Sequence, residues 1–287
     1  MNARLYIATT KEHIFPADDN YVPLMVGRAA PSGWRGLSDD VGDNISRKNP
    51  FYCELTGQYW IWKNDDTSDV KGLCHYRRYL WLNEPPARIV KRSFGSLNDC
   101  AELITTDGLL DLLTQYDCLL PRAYAFSSDT IRSQFVNWHG EENLRIMYRA
   151  VKKISPEYLP TMERIFERRY VHFANIIIAR REVFDEYSAW LFAVLFEAER
   201  QVDLANPANA RLFGYLSERL LNVYVAHKNL KFKELPEIFI AGEGSGKFID
   251  DQRVDFRYFK RRYCPSLLKW EEKLRRMVKK PRDGQKS

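Results

Sequence analysis

The residues best equipped for chemistry lie in CHYRRY, 74–79. His75 can donate or accept a hydrogen bond, and Arg77 and Arg78 carry forked guanidinium donors that match phosphate or carboxylate oxygens. Tyr76 and Tyr79 add faces on which a base or sugar could stack. The apolar lead-in VKGLCHY has the pattern of a short strand, and its alternation places His75 and Arg77 on one face with Arg78 on the other, unless the strand ends first. The same residues would also suit a solvated turn with its arginines paired to surface carboxylates. An anion site and a turn both remain open on these residues alone.

Three other groups hold reactive side chains. SDDVGDNIS offers Asp39, Asp40 and Asp43 with Asn44 and Ser46, a set able to bind sugar hydroxyls, position a metal or supply a base. It equally suits an Asx turn with capping residues. In GYLSERLL, Glu218 follows Gly214 by four residues and so shares its helix face; the glycine would admit a ligand to the backbone and the glutamate could accept a proton. A surface Glu218–Arg219 pair on an amphipathic helix is the plainer alternative. His139 sits in NWHGEE among Trp138, Gly140 and two glutamates, whereas His13, His172 and His227 have no such company.

Several classes are excluded by what the motifs lack. No HxxxH spacing supports a metal, and the acidic runs NDDTSD and IDDQRVD contain no DxD triplet after an apolar strand. No P-loop or GxGxxG fingerprint occurs, and GEGSGK at 242–247 is too short for a phosphate loop. A kinase or dehydrogenase is not indicated. The five cysteines are odd in number, scattered and without a CxxC pair, which fits a reducing cytoplasm better than a disulfide framework or zinc site. Neither a signal-peptide pattern nor a membrane-spanning apolar run is visible, so a cytoplasmic protein is expected.

The net charge of +6 is unevenly distributed. Residues 257–287 alone carry +9, leaving a slightly acidic body. In CPSLLKWEEKLRRMVKK, Leu267, Trp270, Leu274, Met277 and Val278 recur at helical spacing among Lys, Arg and Glu. That pattern predicts a basic amphipathic helix suited to an anionic membrane surface. A tail that holds nucleic acid is the competing non-catalytic reading, but the body lacks an RNA-binding signature and no nucleic acid is expected.

The elements that must position these residues alternate between strand and helix. RLYIATT (4–10) reads as a first strand, and 27–50 as an ordered functional loop. FYCELTGQYWIWKN (51–64) has the repeat of one helical face. A strand over 70–76, a loop over 85–103, a helix over 106–116 and a strand over 117–122 follow. Helices around Asn137–Gly140 come next, then a strand through Asn175–Ala179 leading into a long helix. A helix over 211–227 and one final strand over 230–240 close the body. Such alternation predicts an α/β fold with a mainly parallel sheet flanked by helices, with a body at 1–256 and a separate tail at 257–287.

In order, YIATTKEH, VGDNISRKNPFYCELTGQYWIWKN, GLCHYRRYL, DCLLPR, FANIIIARREVFDEYSAWLF and RLFGYLSERLLNVYV resemble the bacterial capsular-polysaccharide and O-antigen glycosyltransferase family long catalogued as a domain of unknown function. The match spans about 4–240, and Gly42–Tyr79 is its specific part. The resemblance implies a single GT-A-like nucleotide-sugar-binding domain. It implies transfer of a hexose, galactose in the first place, from a UDP-sugar to a glycan or lipid-linked glycan acceptor at the inner face of the cytoplasmic membrane. On that reading Thr9, Thr10 and Lys11 meet the nucleotide, and His75, Arg77 and Arg78 face the leaving diphosphate. Asp43, Asn44 and Ser46 orient the sugar, Glu218 or else Asp43 takes the acceptor proton, and His139, Asn175, Gly214 and Arg219 meet the acceptor. Mg²⁺ or Mn²⁺ stays possible without a DxD motif. Phosphoryl transfer or hydrolysis at the His-Arg cluster is a second enzymatic alternative.

Overall fold

A computed structural model describes residues 2–82, 89–93, 104–126 and 128–241. The basic segment 257–287, with its expected helix, and the GEGSGK stretch lie outside the described residues. The described residues form a mixed, mostly parallel sheet in the order β11–β7–β10–β4–β1–β2–β3. The strands are β1 (Ala3–Thr9), β2 (Tyr21–Met25), β3 (Leu37–Ser38), β4 (Val70–His75), β7 (Cys118–Pro121), β10 (Ile177–Arg180) and β11 (Phe232–Leu235). β1 pairs in parallel with β2 and β4, while β10 lies antiparallel between β4 and β7. Beside this row, β12 (Glu237–Ala241) pairs with β5 (Arg78–Leu80) and β6 (Ile89–Ser93), and β8 (Tyr124–Ala125) makes a small ribbon with β9 (Tyr170–Val171).

Alternation along the strands divides the interior in two. Tyr6, Ala8, Leu73, Cys118, Leu120, Ile177 and Ala179 face one way; Leu5, Ile7, Val70, Cys74, Leu119, Ile176 and Ile178 face the other. The first face is covered by the helices α1 (Asn49–Tyr52), α2 (Leu55–Asn64), α3 (Ile131–His139), α4 (Glu141–Ile154), α5 (Leu159–Phe166), α6 (Arg181–Glu199) and α7 (Leu212–His227). A 3₁₀ turn at Leu110–Thr114 and the β5–β12 ribbon cover the second. Gly72 stands at the centre, where a Cβ would come within 2.7 Å of the Leu5 side chain. No helix among the described residues is long and apolar enough to cross a membrane.

Lys71 interrupts the apolar pattern. It shares the helical face with Leu73, is completely buried, and donates to both carboxylate oxygens of Asp185 on α6 at 2.7 and 3.0 Å. The pair joins the central strand to the helix above it, and a charge in that position is tolerated only because its partner neutralises it.

The structure revises several expected elements. The helix over 51–64 is two pieces, because Cys53 leaves the helical conformation, with φ of 53° and ψ of −133°. The loop over 85–103 contains β6, whose Ile89 and Val90 suit a strand, and the helix over 106–116 is only the 3₁₀ turn. Pro236, which cannot donate to a ladder, divides the last strand into β11 and β12. β2 and α5 were not anticipated. The CHYRRY strand stops at His75, and Tyr76 and Arg77 form the turn of a hairpin that pairs His75 directly with Arg78.

Candidate active site

The parallel strands β1, β2 and β4 end at one edge of the sheet, at Thr9, Met25 and His75. Because β10 runs the opposite way, it begins at that edge, and Ala174 and Asn175 arrive there. Crevices beyond the carboxyl ends of parallel strands are where open α/β sheets bind ligands.

The backbone at this edge is strained. Cys53, Ala174, Asn175 and Arg211 have φ of 53°, 77°, 49° and 63°, a region side chains with a Cβ rarely enter. These residues are neighbours in space: Arg211 N–H donates to Pro50 O at 3.0 Å, Cys53 abuts Gly214, and Asn175 reaches Gly214 O. Strain of about 1–3 kcal/mol at each such residue persists only where surrounding contacts enforce it, and it concentrates at functional sites. At Cys53 the accompanying ψ of −133° is open to little but glycine. Cys53→Gly is therefore expected to stabilise the fold by about 1 kcal/mol, read as a higher denaturant midpoint.

Two carboxylates converge under these turns. Glu218, on the first turns of α7, accepts from the Ala174 N–H at 2.9 Å and from Arg219 Nη1 at 2.7 Å. Burial pushes its carboxyl above the ordinary range; Arg219 and the Ala174 N–H oppose the shift, and nearby Glu54 adds to it. A carboxylate raised in this way accepts a proton more readily than an ordinary one. Glu54 immediately precedes α2 and accepts from Asn175 Nδ2 at 2.7 Å. The thiol of Cys53, pushed up to about 11 by burial, is not a nucleophile at neutral pH.

The cationic side forms from the hairpin. His75 and Arg78, paired across it, share a face, and the charge of Arg78 reaches Glu218. Arg78 also pairs with Glu237 and lies 4.9 Å from the Phe239 ring centre. Arg77 instead rests over Tyr76 at 5.2 Å, beside Lys11 and His13, so the expected sharing of one face by His75 and Arg77 is replaced by His75 with Arg78. His75 Nε2 and Arg77 Nε are buried with no hydrogen-bond partner among the described residues. Polar atoms left in this way are ones that a bound water or a polar ligand would satisfy. Thr10 and Lys11 are exposed at the same edge, whereas Thr9 is buried and bonds the Lys11 backbone.

The acidic loop is placed differently. Asp39 and Ser46 are buried and bonded to each other, with Asp39 also accepting from Gly27 N–H, so they hold the loop together. Asp43 accepts from Tyr59 OH at 3.1 Å and is tied to Asn64, while Asn44 bonds the Gly42 carbonyl. Asp43 is thus tied to the middle and the C-terminal end of α2, whereas Glu54 immediately precedes its start. Asp43, Asn44 and Ser46 are bonded within this loop and to α2 rather than to Glu218 or Glu54.

Gly214 is buried against Cys53, and Asn175 is buried as the holder of Glu54; neither offers an open face. Arg219, also buried, lies between the rings of Phe135 and Phe173 and donates to Gln134 at 2.7 Å. Beside it opens a cleft of about 460 Å³ whose lining includes Trp138, His139, Tyr215 and Glu218. Burial first, and Arg219 second, lower the His139 ring from 6.5 to about 4. Because the folded value is depressed, His139 adds stability above about pH 6.5 that is lost as pH falls toward 4. Unfolding measured between those limits is expected to show this loss, and His139→Gln is expected to flatten it.

Glu54 is the residue that the sequence did not reveal. Read as part of one helix over 51–64, it carried no local signal, because the break at Cys53 appears only in the structure. Among the described residues, no group of three or more His, Cys, Asp or Glu side chains converges to hold a metal ion.

Comparison with known proteins bears on this arrangement. None of the curated proteins compared matches the chain. A solved apo structure of the bifunctional glycosyltransferase WbbM superposes with a TM-score of 0.73 and 28% sequence identity, covering 84% of this chain and 46% of that one. The chain thus spans about half the length of that relative. Residues 4–229, from β1 to the turn after α7, match the domain of unknown function DUF4422, and the chain belongs to that family.

Proposed function

We propose that the protein is a glycosyltransferase that moves a hexose from a nucleotide sugar to a hydroxyl of a glycan acceptor. The observation that carries this reading is the meeting of Glu218 and Glu54 with the His75–Arg78 hairpin at the carboxyl edge of the sheet. The bifunctional glycosyltransferase that shares this fold supports the reaction class. The acceptor O–H would give its proton to the Glu218 carboxylate as its oxygen bonds to the anomeric carbon. The bond from that carbon to the diphosphate oxygen breaks, and its electron pair leaves with the nucleotide. Arg78, Arg77 and His75 would stabilise the departing diphosphate, the cationic counterpart of an oxyanion hole.

The donor we assign is a UDP-hexose, in the first place UDP-galactose, and the product a bacterial surface polysaccharide such as capsule or O-antigen. Sequence resemblance supports both. The test is nucleotide release from UDP-, GDP-, CMP- and dTDP-sugars, each with and without Mn²⁺. Release from a UDP-hexose that rises with added glycan acceptor is expected; no release from any of them would overturn the reading.

The basic segment 257–287 would hold the enzyme on an anionic membrane, at about 1 kcal/mol per basic residue near the surface. Deleting it is expected to free the protein from anionic vesicles while leaving transfer to a soluble acceptor intact. Continued co-sedimentation with the vesicles would count against this assignment.

A further inference from the structure

Resting on that reading, we propose that the cleft between α3 and α7 is the acceptor subsite. Its occupant is the uncharged terminal pyranose of a glycan, stacked on Trp138 with a hydroxyl directed at Glu218. Trp138 is 77% exposed, far more than an indole on a packed helix requires, and it lines the cleft. A large exposed aromatic beside polar groups indicates recognition of a ligand with one apolar and one polar aspect. A pyranose has both, since its C–H face can lie on a ring while its hydroxyls bond in the ring plane.

The remaining lining fits this occupant. Tyr215, stacked on the His139 ring at a centroid distance of 4.3 Å, and Phe173 continue the apolar wall. Asp129, Gln134 and Glu218 supply oxygens that accept from hydroxyls. Among the described residues, the one cation that lines the cleft is Arg219, which is buried and paired with Glu218 and so is poorly placed to receive an acidic sugar. The carboxylates of Asp129 and Glu218 would repel a uronic acid, which selects neutral acceptors. Glu218 belongs both to this cleft and to the strained edge that faces the donor, so a hydroxyl held here would meet the proposed base.

The test titrates the full-length protein with methyl β-galactopyranoside and with methyl β-glucuronide. The Trp138 indole N–H resonance, assigned by its loss in Trp138→Phe, reports on binding. A shift with the neutral glycoside and none with the glucuronide is expected. In transfer assays, Trp138→Ala is expected to raise the acceptor KM about tenfold, with Trp138→Phe in between and nucleotide-sugar affinity unchanged. Transfer that proceeds with an unmoved indole and an unchanged acceptor KM in Trp138→Ala overturns the cleft assignment. An indole that responds to the neutral sugar in a protein that transfers nothing upholds the sugar cleft and overturns the proposed reaction.

Discussion

Glu218→Gln is expected to lower kcat by about 10²–10⁴-fold while nucleotide-sugar affinity changes little. The amide keeps the size of the carboxylate and can still accept from the Ala174 N–H, but it cannot take a proton from an attacking hydroxyl. It also leaves Arg219 buried without its anion, so some stability is lost, and the assay belongs well below the melting midpoint. Steady-state kinetics separate the two effects, because misfolding lowers the active fraction whereas loss of the base lowers the turnover of folded enzyme. The wild-type pH profile adds a second reading. With the Glu218 carboxyl raised by burial, activity should fall on the acid side at a pH above the usual carboxylate value. A profile without that acid limb, or full turnover in Glu218→Gln, removes Glu218 from the mechanism. Glu54→Gln is the informative comparison, since Glu54 faces the same crevice but is held by Asn175 rather than by a cation.

The largest effect on stability should come from Asp185→Ala. It would strand the Lys71 ammonium, which is 1% exposed, in the apolar layer between sheet and α6. Removing one partner of a buried pair costs about 3–5 kcal/mol, or roughly 10 °C in Tm for a domain of this size. Lys71→Met removes the charge and keeps the length of the side chain, so it is expected to be near neutral or stabilising, leaving Asp185 with its 30% exposure to water. Thermal unfolding of both variants decides the matter. Equal losses would mean that the pair contributes shape rather than compensated charge.

Much of this fold was legible because its signals are local. The alternation of β1 and the helical spacing of α7 come from neighbouring residues, and so does the face shared by Gly214 and Glu218. The site was legible only in part, for identifiable reasons. The His75–Arg78 turn contains no glycine, asparagine or proline, so nothing in CHYRRY marked the reversal that brought Arg78 rather than Arg77 beside His75. Glu54 depends on Asn175, more than a hundred residues away, and on a backbone conformation at Cys53 that its side chain disfavours. Asp43 had suitable chemistry, and its ties to Tyr59 and Asn64 on α2 are contacts that the loop's own sequence does not show. Lys71 resembled an ordinary polar strand residue, since its partner lies on a helix far along the chain.

The antiparallel strand β10 also has a consequence during synthesis. β4 gains its neighbour β10 only when Ile177–Arg180 emerges, roughly a hundred residues after His75. At ribosomal speeds that interval is about 5–20 s. Until then the nascent β1–β4 unit leaves a hydrogen-bonding edge of β4 open to solvent. The same strand that delivers Asn175 to the crevice therefore also closes the free edge of β4 in the growing chain.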